Sequence, residues 1–451
     1  MTIADLVDRV SPILPDPVDE LQVAAVLESQ GVTDQAAADD YGEADVFALA
    51  RRVFPLLPGR EDDPPAPPAD RRTRIDLLHG PLYLLPTLAY PAAFEVLGSA
   101  VAVRALVFAT AFGWVWGAGA SFVAYQLVGL DARGSATRTF LHLGWLGLGV
   151  GTLLSLPLLL FGGGLGVPLF VLAQLAVQQI VGVLLFHRRE RVLAYAMLPA
   201  GIGGLGYLAL SDERFAWPVL ALGCVSVVLG MESARRSGRA HRDADGVRLP
   251  EPRVLVKNSL PGLAYATMCA ALVLYVDARY VLGALDLAVA AAPLVLGMGV
   301  VELRANRLFE HADGLLREPL RPGEFHERMW RALLRELATC LVALGALALV
   351  LLAVLRSLGV LTSAGAFLVD GHVVLGGVFF LGFVLVRTGG AVLAPALLGG
   401  ASLGCVTTAE LVADPLTTDS LPRVFLATGI ALSVLLLTAL RRGVGQVRHY
   451  R

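Results

Sequence analysis

An all-α polytopic membrane bundle is the fold class that this sequence predicts, with about twelve transmembrane helices in two six-helix lobes and a small helical cytoplasmic domain in front. Three observations predict it. Hydrophobic residues make up 56% of the chain and charged residues 16%, and mean hydropathy is +0.68, outside the range of soluble domains. From about Leu77 to the C-terminus, apolar runs near the roughly 20 residues that cross a bilayer as a helix follow one another. Arg and Lys concentrate in every second connection between those runs.

The first element is unlike the rest. Up to Asp70 the chain carries 15 acidic residues against 4 arginines, whereas the remainder carries 23 acidic and 32 basic residues. Within this acidic part, "DPVDELQVAAVLESQG" sets apolar residues at helical spacing before a stop at Gly31. Thr33 can cap a following short helix, and "EADVFALARRVF" supplies another. Residues 1–57 are therefore expected to form an acidic helical cytoplasmic domain. "PGREDDPPAPPADRR" follows, with five prolines in fifteen residues; it cannot hold a helix, so 58–75 is expected to be a stiff linker. "MTIADLVDRV" has none of the basic, then apolar, character of a secretory signal.

The apolar runs place spans at 77–97, 103–128, 140–160, 166–186, 192–210, 216–231, 260–276, 281–301, 337–355, 373–386, 391–412 and 424–440. With both termini in the cytoplasm, the inside segments from Arg71 onward hold 27 basic residues, and the outside ends and loops hold 5: Arg104, Arg214, Arg279, Arg356 and Arg423. An odd number of missed spans would invert every later loop and destroy that alternation. Lobe 1 is expected over 76–231, a cytoplasmic inter-lobe loop over 232–259, and lobe 2 over 260–451. Six spans on either side of a cytoplasmic hinge is a layout of secondary transporters, whose path lies between the halves.

The charged segment between spans eight and nine holds seven arginines between Arg304 and Glu336. Phe325, Met329, Leu333 and Leu337 recur every four residues, so 302–336 is expected to be an amphipathic cytoplasmic elbow lying along the membrane surface. Glu310, His311, His326 and Glu327 lack the i, i+4 histidine pair that sets two imidazoles on one helix face, and a metal or catalytic role is not expected of them. Cys224, Cys269, Cys340 and Cys405 stand singly in apolar segments and read as small buried hydrophobes.

Polar groups inside the spans are the candidates for a substrate or ion path, because an ionisable group in hydrocarbon costs several kcal/mol and usually faces a cavity or partner. They are Glu95 in span one, Arg104 and Gln126 in span two, Gln174 and Gln178 in span four, Asp286 in span eight and Glu410 in span eleven. On these boundaries the three carboxylates lie toward the outer face, where they would either meet water and head groups or line an outward-facing acidic cavity. Arg104 and Arg423 are candidate counter-ions. Gln174 and Gln178 share a helix face, where their amides would line a polar path or join two helices. "GWVWGAGAS", "LPAGIGGLG" and "APALLGGASLG" supply small residues for close helix contact and for bending.

The segment "ELRANRLFEHADGLLREPLRPGEFHERMWRALLREL" resembles the corresponding cytoplasmic segment of Pel-type exopolysaccharide exporters, members of the multidrug/oligosaccharidyl-lipid/polysaccharide (MOP) exporter superfamily. The resemblance is one of pattern over some forty residues, together with the twelve-span layout; no binding residue travels with it. It implies movement of a lipid-linked or polymeric glycan across the cytoplasmic membrane, driven by an ion gradient or by polymer synthesis. The acidic N-terminal domain departs from the simplest members.

Two alternatives stand beside it. "GLDARGSATR" offers Gly129, Asp131, Arg133, Gly134 and Arg138 as a loose version of the major facilitator loop between spans two and three, with different interior spacing. A non-transporting scaffold would instead use the acidic domain to recruit a cytoplasmic glycosyltransferase. No enzyme activity, cofactor, metal or nucleic acid is expected: the eight histidines are dispersed, and "FGGGLGVPL" lacks the Lys and Ser/Thr of a phosphate-binding loop. Without an ATP-binding domain, transport would be secondary. In a cysteine-free background, Arg138→Cys is expected to react with a membrane-impermeant maleimide only from the cytoplasmic side, and Arg214→Cys only from outside; the reverse pattern would overturn the predicted orientation.

Overall fold

The computed structural model describes residues 3–14, 20–57, 77, 79–210, 212–238, 249–280, 282–316, 322–412 and 420–446. The expected linker at 58–75 lies outside the described residues, as do 239–248 of the expected inter-lobe loop and 317–321 of the expected elbow. The described residues are overwhelmingly helical, with no strand among them. They fall into two compact units divided between Arg72 and Thr73.

The first unit contains α1 (Ile3–Val10), α2 (Glu20–Ser29), α3 (Asp34–Tyr41) and α4 (Val46–Val53). Its core of Leu6, Val10, Val23, Leu27, Leu49 and Val53 is fully buried. Local chemistry sets the helix ends. The Thr33 hydroxyl accepts from the Ala36 amide at 3.2 Å and the Asp45 carboxylate from the Ala48 amide at 2.6 Å, each satisfying an amide that the first helical turn leaves without a partner. Gly42 ends α3 at φ 70°, a left-handed conformation that side chains with a Cβ resist.

The second unit opens on a broken element. α5 (His79–Leu84) runs into a 3-10 turn (Leu85–Ala89) and then α6 (Tyr90–Leu97), where a single first span is expected. The cause is in the sequence: Pro81, Pro86 and Pro91 recur every five residues, and each removes an amide donor and crowds the turn before it. Gly98 then takes φ 79° and the chain enters α7 (Ser99–Val128).

α8 (Arg133–Leu154), α9 (Gly166–Phe186), α10 (Glu190–Leu210) and α11 (Ala216–Gly238) complete the first half of this unit. The second half comprises α12 (Pro252–Tyr280), the short α13 (Leu285–Ala288), α14 (Ala292–Leu316), α15 (Pro322–Ser357), α16 (Ser363–Arg387), α17 (Leu393–Val412) and α18 (Ser420–Gly443). Among the described residues, ten helices are long and apolar enough to cross a membrane: α7 to α12, α14 to α16 and α18. The chain is thus a multi-pass membrane protein. The other two expected spans correspond to the broken α5/α6 and to α17, a helix of 20 residues.

The apolar cores segregate by sequence half. One cluster runs from Cys269 to Val444, whereas the others draw on Leu82 to Ala234. Between the halves, α7 packs along α12 and α5 against α14. Small residues permit these approaches. A Cβ at Gly80 would collide with the Leu296 backbone of α14, and one at Gly262 with the ring of Phe122.

The amphipathic segment is not a separate surface helix. Its second part is the N-terminal portion of α15, which runs unbroken for 36 residues, about 54 Å at ~1.5 Å per residue, so this helix is longer than a bilayer core. The row of Phe325, Met329, Leu333 and Leu337 is buried in the second-half core rather than turned to lipid. Arg304 of α14 meets the buried carboxylate of Glu336 at 3.3 Å, and Arg335 meets it at 3.0 Å. The Arg387 guanidinium stacks 3.8 Å from the centre of the Phe309 ring. The charged stretch is therefore a hairpin end tied into its lobe.

Gly204 of α10 lies where a Cβ would collide with the backbone carbonyl of Leu88. Gly204→Val is therefore expected to separate α10 from the 3-10 turn and to lower the midpoint of thermal unfolding in detergent, whereas Gly206→Val, with open space around it, should not.

Candidate functional site

Between the two halves lies a cavity of about 700 Å3, within the usual size of small-molecule sites. The broken first element contributes Tyr83, Pro86, Thr87 and Tyr90, and α7 contributes Phe112, Trp114 and Trp116. α9 adds Gln174, Gln178 and Gln179, and α12, α14 and α16 close the far side with Asp277, Met298 and Phe379. Non-helical backbone is tolerated at membrane depth where it lines such a space, which accounts for the proline-broken segment here.

Two of the three glutamines, Gln178 and Gln179, are set by glycines. The Gln178 amide donates to the Ala109 carbonyl at 3.3 Å, and the Gln179 amide to the Phe140 carbonyl at 3.4 Å. Gly113 leaves the room that the Gln178 side chain fills, and Gly144 does so for Gln179. The indole of Trp116 donates to the Leu143 carbonyl at 2.8 Å and stacks on Phe112 at 5.4 Å between ring centres. Trp114 meets Phe379 edge to face at 6.3 Å across the halves.

Asp277 is the charged residue of this lining among the described residues. Its carboxylate lies 3.0 Å from Nε2 of His372, a residue of α16 with no exposed surface. The other ring nitrogen, Nδ1, lies 2.8 Å from the Leu368 carbonyl. A carbonyl only accepts, so Nδ1 carries hydrogen; the carboxylate at Nε2 requires a second proton between the two groups. The pair thus holds one proton beyond neutral imidazole plus carboxylate and has no net charge. Phe425 of α18 covers the imidazole, 5.3 Å away between ring centres.

The sequence candidates separate. Gln174 and Gln178 line the cavity. Gln126 ties the halves, donating to the Ser259 hydroxyl at 2.9 Å and the Leu255 carbonyl at 3.2 Å of α12. Glu95 is exposed on α6. Arg104 is exposed on α7 with its guanidinium 4.8 Å from the Phe161 ring, and Arg423 lies 5.1 Å from that of Phe367. Glu410 accepts from Arg279 at 2.6 Å and from the Tyr275 hydroxyl at 3.0 Å at the protein surface. None of the three proposed carboxylates lines the cavity, and the cavity is mainly apolar rather than acidic.

Asp286 has a different use. Fully buried in α13, it accepts from the Thr362 amide at 2.8 Å and the Thr362 hydroxyl at 2.6 Å. The same hydroxyl accepts from the Gly365 amide at 3.0 Å and so caps α16. Gly365 is required here because a Cβ would enter the carboxylate. Nδ1 of His79 meets the carboxylate of Glu302, in the middle of α14, at 2.7 Å, joining α5 to α14 at the face predicted to be cytoplasmic.

Asp277 and His372 were not among the candidates. His372 stands alone in the sequence, and its partner is 95 residues away. The proline spacing of 81, 86 and 91 is the signal that would have directed attention to Tyr83 and Tyr90.

No protein-family profile matches the sequence, and no curated protein does. Among solved structures, the MATE transporter ClbM in complex with Rb+ matches over 84% of this chain and 97% of its own, at 12% identity and a TM-score of 0.51. The lipid II flippase MurJ in an inward closed conformation matches over 82% of this chain and 86% of its own, at 12% identity and a TM-score of 0.41. The first likeness is one of fold, and MATE transporters belong to the MOP superfamily.

Asp286→Ala is expected to destabilise the protein by ~3 kcal/mol, because two charge-assisted hydrogen bonds at the start of α16 are lost. Denaturation in mixed micelles checks this, and an unfolding midpoint equal to that of Glu95→Ala would refute the clamp.

Proposed function

We propose that this chain is a secondary membrane transporter, an exporter or flippase that works by alternating access, with its substrate held in the inter-half cavity. The observation that carries the reading is that cavity, walled by aromatic and amide side chains and bordered by elements of both halves. A ligand contacted from both sides has differential affinity for the open and closed arrangements, as any shift between them requires.

The substrate is a lipid-linked or polymeric glycan, in line with the Pel-type resemblance in the charged segment. Aromatic faces at Tyr83, Tyr90, Trp114 and Trp116 suit sugar rings, and the amides of Gln174, Gln178 and Gln179 suit hydroxyls. Buried His372 and half-buried Asp277 pair between α16 and α12 beside the cavity and are the group through which proton movement is coupled. The protein resides in the cell membrane with both termini in the cytoplasm. The acidic first unit remains the surface for a glycosyltransferase partner.

Spin labels at Leu130 and Asn306, one in each half, are expected to show two distance populations by double electron–electron resonance, with their ratio shifting as rising pH removes the proton shared by His372 and Asp277. Asp277→Asn should abolish the shift without loss of folded protein. A single distance distribution unchanged by pH would remove the coupled alternating-access reading. Gln178→Ala should lower export of surface glycan by about tenfold, the scale of one lost hydrogen bond at ~1.4 kcal/mol. Deleting residues 1–57 separates the scaffold alternative: for a transporter, the pH-dependent distance shift persists.

A further inference from the structure

We infer that the portion of substrate seated in the cavity is uncharged, carrying neither the phosphate nor the ammonium group that membrane carriers commonly bind. The inference rests on the proposed function and names the chemical class that its cavity takes.

The absence of basic lining comes first. Among the described residues that border the cavity there is no Lys or Arg, although 36 such residues occur in the chain. A phosphate or pyrophosphate taken from water into an apolar space loses its hydration, and no Lys or Arg among the described lining residues replaces it. The Trp116 indole is engaged with the Leu143 carbonyl, and the Gln178 and Gln179 amides each already donate to a main-chain carbonyl.

The carboxylate comes second. By itself Asp277 would draw a cation. It is matched by His372, whose second ring nitrogen is held as a donor by the Leu368 carbonyl, and the two together carry no net charge. An ammonium group entering the cavity would have to compete with a buried imidazolium 3.0 Å from the same oxygen. Desolvation of the ligand charge would then lack compensation. What the walls offer is aromatic surface and the remaining amide and hydroxyl groups of the glutamines, Thr87, Thr110 and Ser121. Neutral molecules with an apolar body and a hydroxyl-rich or amide head match them.

The test uses three probes with one ring and different heads: p-nitrophenyl β-glucoside, p-nitrophenyl phosphate and p-nitrobenzyltrimethylammonium. Binding is read as quenching of Trp114 and Trp116 in the full chain in nanodiscs, with Trp145, Trp217 and Trp330 replaced by Phe. The glucoside is expected to bind about tenfold or more tightly than either charged probe, since an uncompensated charge costs at least the ~1.4 kcal/mol of a tenfold change. His372→Ala and His372→Gln both leave Asp277 as an unmatched negative charge; Gln retains a donor and guards against simple misfolding. Each should raise affinity for the ammonium probe by about tenfold, the scale of one newly unpaired partly buried charge. Binding of either charged probe as tightly as the glucoside, or His372 variants with unchanged preference, would overturn the inference while leaving transport standing. Quenching by none of the three would overturn both this inference and the cavity's place in the proposed function.

Discussion

Hydrocarbon offers no hydrogen bonds, so every polar group that the chain carries into it must be satisfied by another part of the chain. That requirement orders the second unit. Serine and threonine hydroxyls on its long helices bond back to carbonyls a turn earlier, as Thr267 does to Leu263 and Ser402 to Leu398. The longer side chains reach further. Gln126 crosses from α7 to α12, His372 from α16 to α12, and Asp286 from α13 to the start of α16. Each of these longer side chains thereby becomes a specific tie between two elements, and the helices' relative positions are set where those ties form.

The same requirement separates groups that look alike in sequence. Asp286, Asp277 and Glu410 are all acids within or beside apolar runs. Asp286 is consumed by capping, since both bonds from Thr362 go to one of its oxygens. Glu410, at the surface, pairs with Arg279 where solvent weakens the attraction. Only Asp277 combines a cavity-facing position with a buried titratable partner, and a group so placed is suited to respond to its contents. Proline acts in a parallel way at the first span. By preventing a continuous helix it leaves a kinked segment whose tyrosines turn into the space between the halves.

Much of the fold was legible. Apolar runs of helical length and the alternating basic loops mark the positions of the membrane-crossing helices. The tenth shows where such reading falls short: a span starting at Val373 omits Asp370 and His372, because polar residues look like a loop, yet α16 begins at Ser363. The charged hairpin shows the converse. The four-residue row from Phe325 to Leu337 was visible, but periodicity reports only that one face is apolar and cannot say whether lipid or protein covers it. Of the seven candidate path residues, Gln174 and Gln178 border the cavity, and their i, i+4 spacing on an apolar helix was the available sign.

Composition and hydropathy by themselves determined that the chain is a helical membrane protein, roughly where its helices begin and end, and which loops carry positive charge, because those properties are local and additive along the sequence. The tertiary structure decided which polar residues meet. His372 and Asp277 lie 95 positions apart, and no local rule relates them. Their encounter depends on how α12 and α16 pack, which is settled by glycine-sized approaches and by the matching of buried donors to acceptors across the whole unit.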